Sequence, residues 1–378
     1  GQQYFVSVRS RNAAGLYSEV GQSDGIILRP DQLVQDKIYV RSQNHNALEI
    51  FAANSGVKTG EIPIPAPPGP VSLSPNNSLL CLGTRGSDNR AFLIDTVTDD
   101  IISTITANTT TESFPLFSSD GSLIYFNSGR FLVDTSLALS GSTNAVRSIS
   151  SSGLFKLTKA VISPDGRLIY AIPPEGIDNR VYIINTSLLE FAGTDSRVEE
   201  IVPGAGVIKD IALSPDGKTL YILGTVSGFH IVDTQSGQVI RTMSDVTGTN
   251  IVLSQYGNKI VAAGFSGNIT VVDASAQSVA YSMQVSTLSG VLKVVQISPD
   301  ENTAYVLENN VYNNNQDRLL FVNLGTREVF SKMEVSSGTA DMVLKNSVGI
   351  EDTIPPSTIT DLTVKATGSS LLTLSWTA

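Results

Sequence analysis

Three short loops place a carboxylate beside an arginine just ahead of an apolar run: Ser87-Asp88-Asn89-Arg90, Ile177-Asp178-Asn179-Arg180 and Asn315-Gln316-Asp317-Arg318. A pair at that spacing can close a local turn, the carboxylate accepting from backbone N–H groups and from the guanidinium. It can also offer a polar contact surface to a carbohydrate or a partner protein, a role that Tyr312 and the Asn-rich stretch 309–315 would assist. Both readings stand at this level. The candidate contact face is therefore Asp88, Arg90, Asp178, Arg180, Tyr312, Asp317 and Arg318, with His45 added from the polar loop Gln43-Asn44-His45-Asn46. Calcium would need a denser set of oxygen ligands than these loops supply.

The other reactive side chains point away from catalysis. His230 lies in the strand-like run Gly228-Phe229-His230-Ile231-Val232 and reads as a packed or half-exposed structural histidine. Cys81, the only cysteine, sits in Leu79-Leu80-Cys81-Leu82 and reads as a buried thiol, so no intrachain disulfide can form. No His/Cys cluster has metal-ligand spacing, and no nucleophile elbow or phosphate loop occurs. No catalytic residue, cofactor or metal is assigned. Asn76, Asn108, Asn185 and Asn268 stand in Asn-x-Ser/Thr triplets, which arise by chance in a chain this rich in Asn, Ser and Thr.

Bulk composition narrows the partners. A net charge of −10 over 378 residues argues against a phosphate-backbone partner, so nucleic acid is not expected. No run of eighteen apolar residues occurs, so no membrane-spanning helix is expected. Charged residues make up only 16% of the chain, which leaves the surface to Ser, Thr, Asn and Gly.

The elements that must position these residues repeat. Ile211-Ala212-Leu213-Ser214-Pro215-Asp216-Gly217-Lys218-Thr219-Leu220-Tyr221-Ile222-Leu223 reads as a strand, a tight turn and a second strand. Pro presets φ in the turn, and Asp-Gly supplies a positive-φ corner. Variants recur with the turn serine at 74, 118, 163, 214, 254 and 298. A second marker, Asp or Asn after an apolar pair, recurs at Asp95, Asp134, Asn185, Asp233, Asp273 and Asn323, where the side chain can close a turn on its own backbone. A period in the forties built of strands and turns predicts an all-β propeller, here of seven four-stranded blades. Over residues 33 to 348 the paired markers resemble the YVTN or lactonase-like propeller family. That resemblance implies the seven-bladed fold; some of its members are hydrolases, but no acid, base and electrophile set carries over.

The first blade lacks its first strand. Lys37-Ile38-Tyr39-Val40 and Leu48-Glu49-Ile50-Phe51 read as its second and third strands, and Ala340-Asp341-Met342-Val343-Leu344 is predicted to supply the first and close the ring. Between third and fourth strands, Ser187–Gly193 carries Leu188, Leu189 and Phe191, which either form an exposed apolar patch or tuck over the blade edge.

The ends fall outside the repeat. Residues 1–30 alternate through Tyr4, Val6 and Val8 and again toward Ile26-Ile27-Leu28, resembling the last strands of a fibronectin type III domain with Tyr4 at its tyrosine corner. After the stiff Ile354-Pro355-Pro356, residues 351–378 resemble the first strands of such a domain, with Trp376 at its core tryptophan. The expected domains are 1–30, 31–350 (the propeller) and 351–378. Together these features predict a non-enzymatic structural or adhesive block of a larger extracellular or cell-surface protein, partnered by neighbouring modules or copies of itself. The alternatives are a propeller recognising carbohydrate or a partner protein, and a lactonase-like hydrolase.

Overall fold

The computed structural model describes residues 36–346 except 87, 108–113, 127–130, 149–157, 174–178, 190–196, 205, 226–227, 265, 287–290 and 310–316. Outside that span it describes the backbone of six short strands. The chain divides into two units, Asp36–Asn346 and a second formed by Gly1–Gln35 with Ser347–Ala378.

In the larger unit, seven four-stranded antiparallel sheets follow one another. In sheets two to seven the strands run in chain order from the innermost outward. The innermost strands are Pro68–Leu73, Pro115–Phe117, Lys159–Ile162, Ile208–Leu213, Asn250–Leu253 and Val291–Ile297. The first sheet takes its innermost strand, Thr339–Lys345, from the far end of the ring and pairs it with Lys37–Ser42. Each innermost strand touches that of the next sheet, all the way round and back to Thr339–Lys345. The result is a closed seven-bladed propeller around a central channel, with the late strand where the sequence predicts it.

Seven apolar clusters fill the seams between blades. At the closing seam Leu319 and Phe321 of blade 7 meet Ile38, Phe51, Met342 and Leu344 of blade 1. Each such side chain contributes about 1.5–3 kcal/mol on leaving water. Cys81 is fully buried among Leu93, Ile124 and Phe126, and burial pushes its thiol well above the ordinary range.

The recurring serine explains the turns. Ser214 Oγ accepts the backbone N–H of Thr219 at 2.9 Å and donates to Asp216 at 2.6 Å. Ser74, Ser118, Ser163 and Ser298 make the same two bonds with Asn76, Asp120, Asp165 and Asp300. Ser254 keeps the first, to Lys259, while the exposed Tyr256 stands at the acid's position. Gly217 supplies the corner at φ +73°, and a Cβ there would sit 2.8 Å from Pro164 of the preceding blade. Gly121 and Gly257 meet Pro75 and Pro215 in the same way, while Gly166 meets Ser119.

The second marker behaves as read. Asp95 accepts from the N–H groups of Val97 and Thr98, and Asp233 from that of Ser236, each at 3.0 Å or less. The adjacent Thr96, Thr186 and Thr234 hydroxyls donate to carbonyls of Asn77, Gly166 and Gly217, tying the outer turn to the inner one.

The larger unit runs Asp36–Asn346; in chain order its first strand opens at Lys37 and its closing strand ends at Lys345. In the other unit, Gln2–Tyr4 pairs with Ile26–Leu28, Ser7–Val8 with Gly21–Gln22, and Thr363–Ala366 with Leu372–Ser375. The side chain of Tyr4, the linker at Pro355 and Trp376 lie outside the described residues.

Candidate functional site

The predicted contact residues are distributed between structural roles. Asp88 and Arg90 form the local turn: Asp88 Oδ1 accepts the Arg90 backbone N–H at 2.8 Å, and Arg90 Nη2 donates to Asp88 Oδ2 at 2.7 Å and to the Pro65 carbonyl at 3.0 Å. That bond set holds the Asp88 carboxyl below the usual range, Arg90 being the main cause. Arg180 pairs with Glu200 across the third and fourth strands of blade 4. His45 Nε2 lies 3.5 Å from Glu61, whose carboxylate also meets Lys58 at 3.0 Å. Asp178 and Tyr312 lie outside the described residues.

Asp317 and Arg318 each hold a distant partner within the ring. Asp317 is only 2% exposed. Its Oδ2 accepts the Thr339 N–H at 2.6 Å, the Thr339 hydroxyl at 2.8 Å and Asn309 Nδ2 at 3.0 Å, which locks blade 7 onto the closing strand. Arg318 donates through Nε at 3.0 Å and Nη2 at 2.5 Å to the fully buried Glu308, whose other oxygen accepts from Ser286. Burying a carboxylate without such donors would be costly.

His230 is buried, as read, with Nδ1 2.9 Å from Thr242 Oγ1. Burial lowers its pKa, which favours the neutral ring. Leu189 tucks into the seam beside Ile169 and Tyr182 rather than forming a surface patch, while Phe191 lies outside the described residues.

The arrangement with most chemical potential was not singled out in the sequence. Four residues before each turn serine, three successive blades carry Lys159, Asp210 and Asn250 on their innermost strands. Asp210 Oδ1 meets Lys159 Nζ at 2.9 Å and the Ile211 N–H at 2.9 Å. Its Oδ2 takes Asn250 Nδ2 at 2.5 Å and the Ile251 N–H at 2.9 Å. Asn250 Oδ1 passes the pattern on, accepting the Val295 N–H at 2.9 Å. At the same level of the closing strand, Asp341 Oδ2 accepts the Val71 N–H at 3.2 Å. Apart from the Ile211 bond, which stays within one strand, each of these links joins the channel-facing strand of one blade to that of the next.

Arg41 lies directly across the strand pair from Asp341 and donates from Nη1 to the Pro68 carbonyl at 3.2 Å. Arg85, whose backbone N–H bonds to the Pro67 carbonyl at 2.9 Å, is close enough to repel it. Burial, reinforced by Arg85 and opposed by Asp341, lowers the Arg41 pKa. Enclosure raises the Asp341 pKa against the pull of Arg41 and Lys159. Enclosure also pulls on Lys159, but the Asp210 and Asp341 carboxylates outweigh it and its pKa rises. Lys159 and Asp341 stand three blades apart in a ring of seven, so they act on one another across the channel. The sequence signal was a charged or amide residue at one repeat position in otherwise apolar strands.

A shallow recess of about 280 Å³ opens between blades 6 and 7, lined by Lys259, Asp273, Tyr281 and Asn302 among others. Arg327 covers the Tyr281 ring at 4.2 Å, and the Tyr281 hydroxyl is bonded to the Leu324 carbonyl. Among the described residues no group of three or more His, Cys, Asp or Glu is placed to hold a metal ion.

The geometry defines an all-β, seven-bladed propeller, and solved structures agree. The chain resembles the dihydro-heme d1 dehydrogenase NirN in complex with DHE, at 15% identity and TM-score 0.55, over 88% of this chain and 69% of that one. It resembles the propeller domain of Cps50 (Swd1) from Myceliophteria thermophila at 14% identity and TM-score 0.54, over 71% and 85%. A functionally unknown protein from Desulfotomaculum acetoxidans DSM 771 matches at 12% identity and TM-score 0.64, over 82% and 98%. At such identities the likeness is one of fold. No family model and no curated protein matches the chain.

Proposed function

We propose that the chain is a non-enzymatic structural and adhesive block of a large extracellular, surface-attached or filament-forming modular protein. The observation that carries this reading is the pairing of Lys37 with Lys345. The chain enters and leaves the ring on adjacent strands, so the propeller can be inserted into a string of modules without diverting it. The weakly charged surface suits such a setting, as does the resemblance of both ends to fibronectin type III strands and of the ring to YVTN propellers. Neighbouring modules or further copies are the partners this reading implies.

The test is the intact mass and location of the native polypeptide, detected with an antibody against residues 36–346. A surface-fraction species much longer than 378 residues is expected. A cytosolic species of this length would overturn the reading. A second reading, a propeller that recognises carbohydrate or a partner protein, is favoured by the polar residues Lys159, Asp210, Asn250 and Asp341 on the innermost strands.

A further inference from the structure

We infer that the recess between blades 6 and 7 is a binding site for a single neutral sugar ring. The inference shares a ligand class with the second reading but places it away from the innermost strands. It fails separately from the module reading, which native mass and location decide.

The recess is a departure from the repeat. At the third position of the second strand, Tyr39, Tyr125, Tyr170, Tyr221 and Tyr305 stand in five of the seven blades. Each packs into the seam with the following blade. The Tyr39 hydroxyl donates there to the Thr96 carbonyl at 3.3 Å and to Asp99 at 2.6 Å, on the outer turn of blade 2. Blade 2 has Cys81 instead, and the helix Thr135–Leu139 brings Ala138 into that seam. Blade 6 has Val261, whose shorter side chain packs with Val271 and Leu324. Leu324 follows its marker Asn323 as Thr96 follows Asp95, and its carbonyl takes a hydroxyl from elsewhere, from Tyr281 on the outermost strand. Arg327 stands at the place of Asp99, with the same left-handed φ of 62°, and lies over the Tyr281 ring. The space that a tyrosine fills in other seams is left open here, at about 280 Å³.

The lining suits hydroxyl groups held against carbon. Val272, Ala280 and Leu324 supply an apolar wall beside the polar groups of Asn258, Lys259, Asp273 and Ser275. Among the described residues, the exposed Asn258 amide and Ser275 hydroxyl make no side-chain hydrogen bond. Lys259 uses one N–H on the Glu301 carbonyl at 2.9 Å and keeps 37% of its side chain exposed. Asp273 caps its own turn through Oδ1, on the Ala276 N–H at 2.8 Å, which leaves Oδ2 to accept. A further acceptor, Oε1 of the 8% exposed Glu301, has no partner among the described residues. The recess thus presents both donors and acceptors, and a hydroxyl, which does both, satisfies either. Charge selects a neutral ligand: Lys259 lies directly across the strand pair from Asp273 and 4.0 Å from Glu301 Oε2, so its charge is already matched. An apolar wall with a few placed polar groups is the usual make-up of a small-molecule site. A sugar ring offers its C–H face to that wall and its hydroxyls to those groups.

Saturation-transfer NMR of the 378-residue chain with the methyl glycosides of glucose, galactose, mannose and N-acetylglucosamine, and separately with phenol, tests this. Saturable binding of at least one glycoside is expected. Val261→Tyr, which restores the side chain of the other seams, should abolish it. Asn258→Ala should weaken it about three- to tenfold, the loss of one hydrogen bond. Lys218→Gln, on an exposed turn, should leave it unchanged. If Val261→Tyr fails to fold, Asn258→Ala decides. No saturable binding of any glycoside, binding of phenol alone, or glycoside binding that survives both substitutions unchanged would overturn the site.

Discussion

Leu344, on the last strand of the ring, lies directly opposite Ile38 on the first, in antiparallel register, and both are buried in the seam with Phe321. This pair joins the two ends of the propeller, and the seam beside it is held by contacts absent from every single blade. Leu344→Ala should cost about 2–5 kcal/mol, read as a lower urea midpoint with little change in slope. Deletion of 336–348 should go further and give soluble aggregates or a strongly lowered Tm, because it bares a strand edge.

The Asp210 hub is expected to tolerate truncation poorly. Asp210→Ala leaves Lys159 without its partner and unsatisfies the Ile251 N–H and the Asn250 amide. Breaking a buried pair in this way costs about 3–5 kcal/mol. Chemical denaturation should show it, and Lys159→Met in the same background should recover part of the loss.

Acid should loosen the turns by a calculable sign. Asp120 is held down to about 2, chiefly by the Ser118 hydroxyl, and Asp165, Asp216 and Asp300 are lowered by the equivalent serines. A depressed folded pKa stabilises the protein above the unfolded value near 4 and loses that contribution as pH falls toward 2. Asp341, raised by burial, acts in the opposite direction and gains as pH falls. Asn76 already performs the turn role with an amide. Replacing Asp120, Asp165 and Asp216 together by Asn should therefore keep the fold and flatten Tm between pH 4 and 2. An unchanged slope would assign the acid sensitivity elsewhere.

Gly217→Ala combines a left-handed backbone with a Cβ 2.8 Å from Pro164. The expected loss is about 1–3 kcal/mol, whereas Gly141→Ala, where the same φ meets open space, should cost less. Equal losses, measured by thermal melts, would mean that turn stacking contributes nothing.

What the sequence revealed was whatever repeats locally. The serine turns and the Asp/Asn markers use bonds within a few residues, so Ser214 and Asp233 announce themselves, and the closing strand is legible as the piece the first blade lacks. The Asp–Arg loops share one local pattern that serves different partners. Asp317 looks like Asp88 in sequence but holds Thr339, which the topology alone brings near. The channel cluster was hidden for the same reason. Lys159 and Asp210 share a repeat position but not a residue type, and they meet Arg41 and Asp341 only because the ring closes.

Closure is therefore the claim to test first. Ile38→Cys with Leu344→Cys, in a chain whose Cys81 is replaced by Ala, should be refolded in a glutathione redox buffer and followed by non-reducing electrophoresis and thiol counting. Facing positions on antiparallel strands approach within disulfide range. One intrachain bond and a raised Tm are predicted; two free thiols, or only intermolecular species, would contradict a ring sealed at this pair.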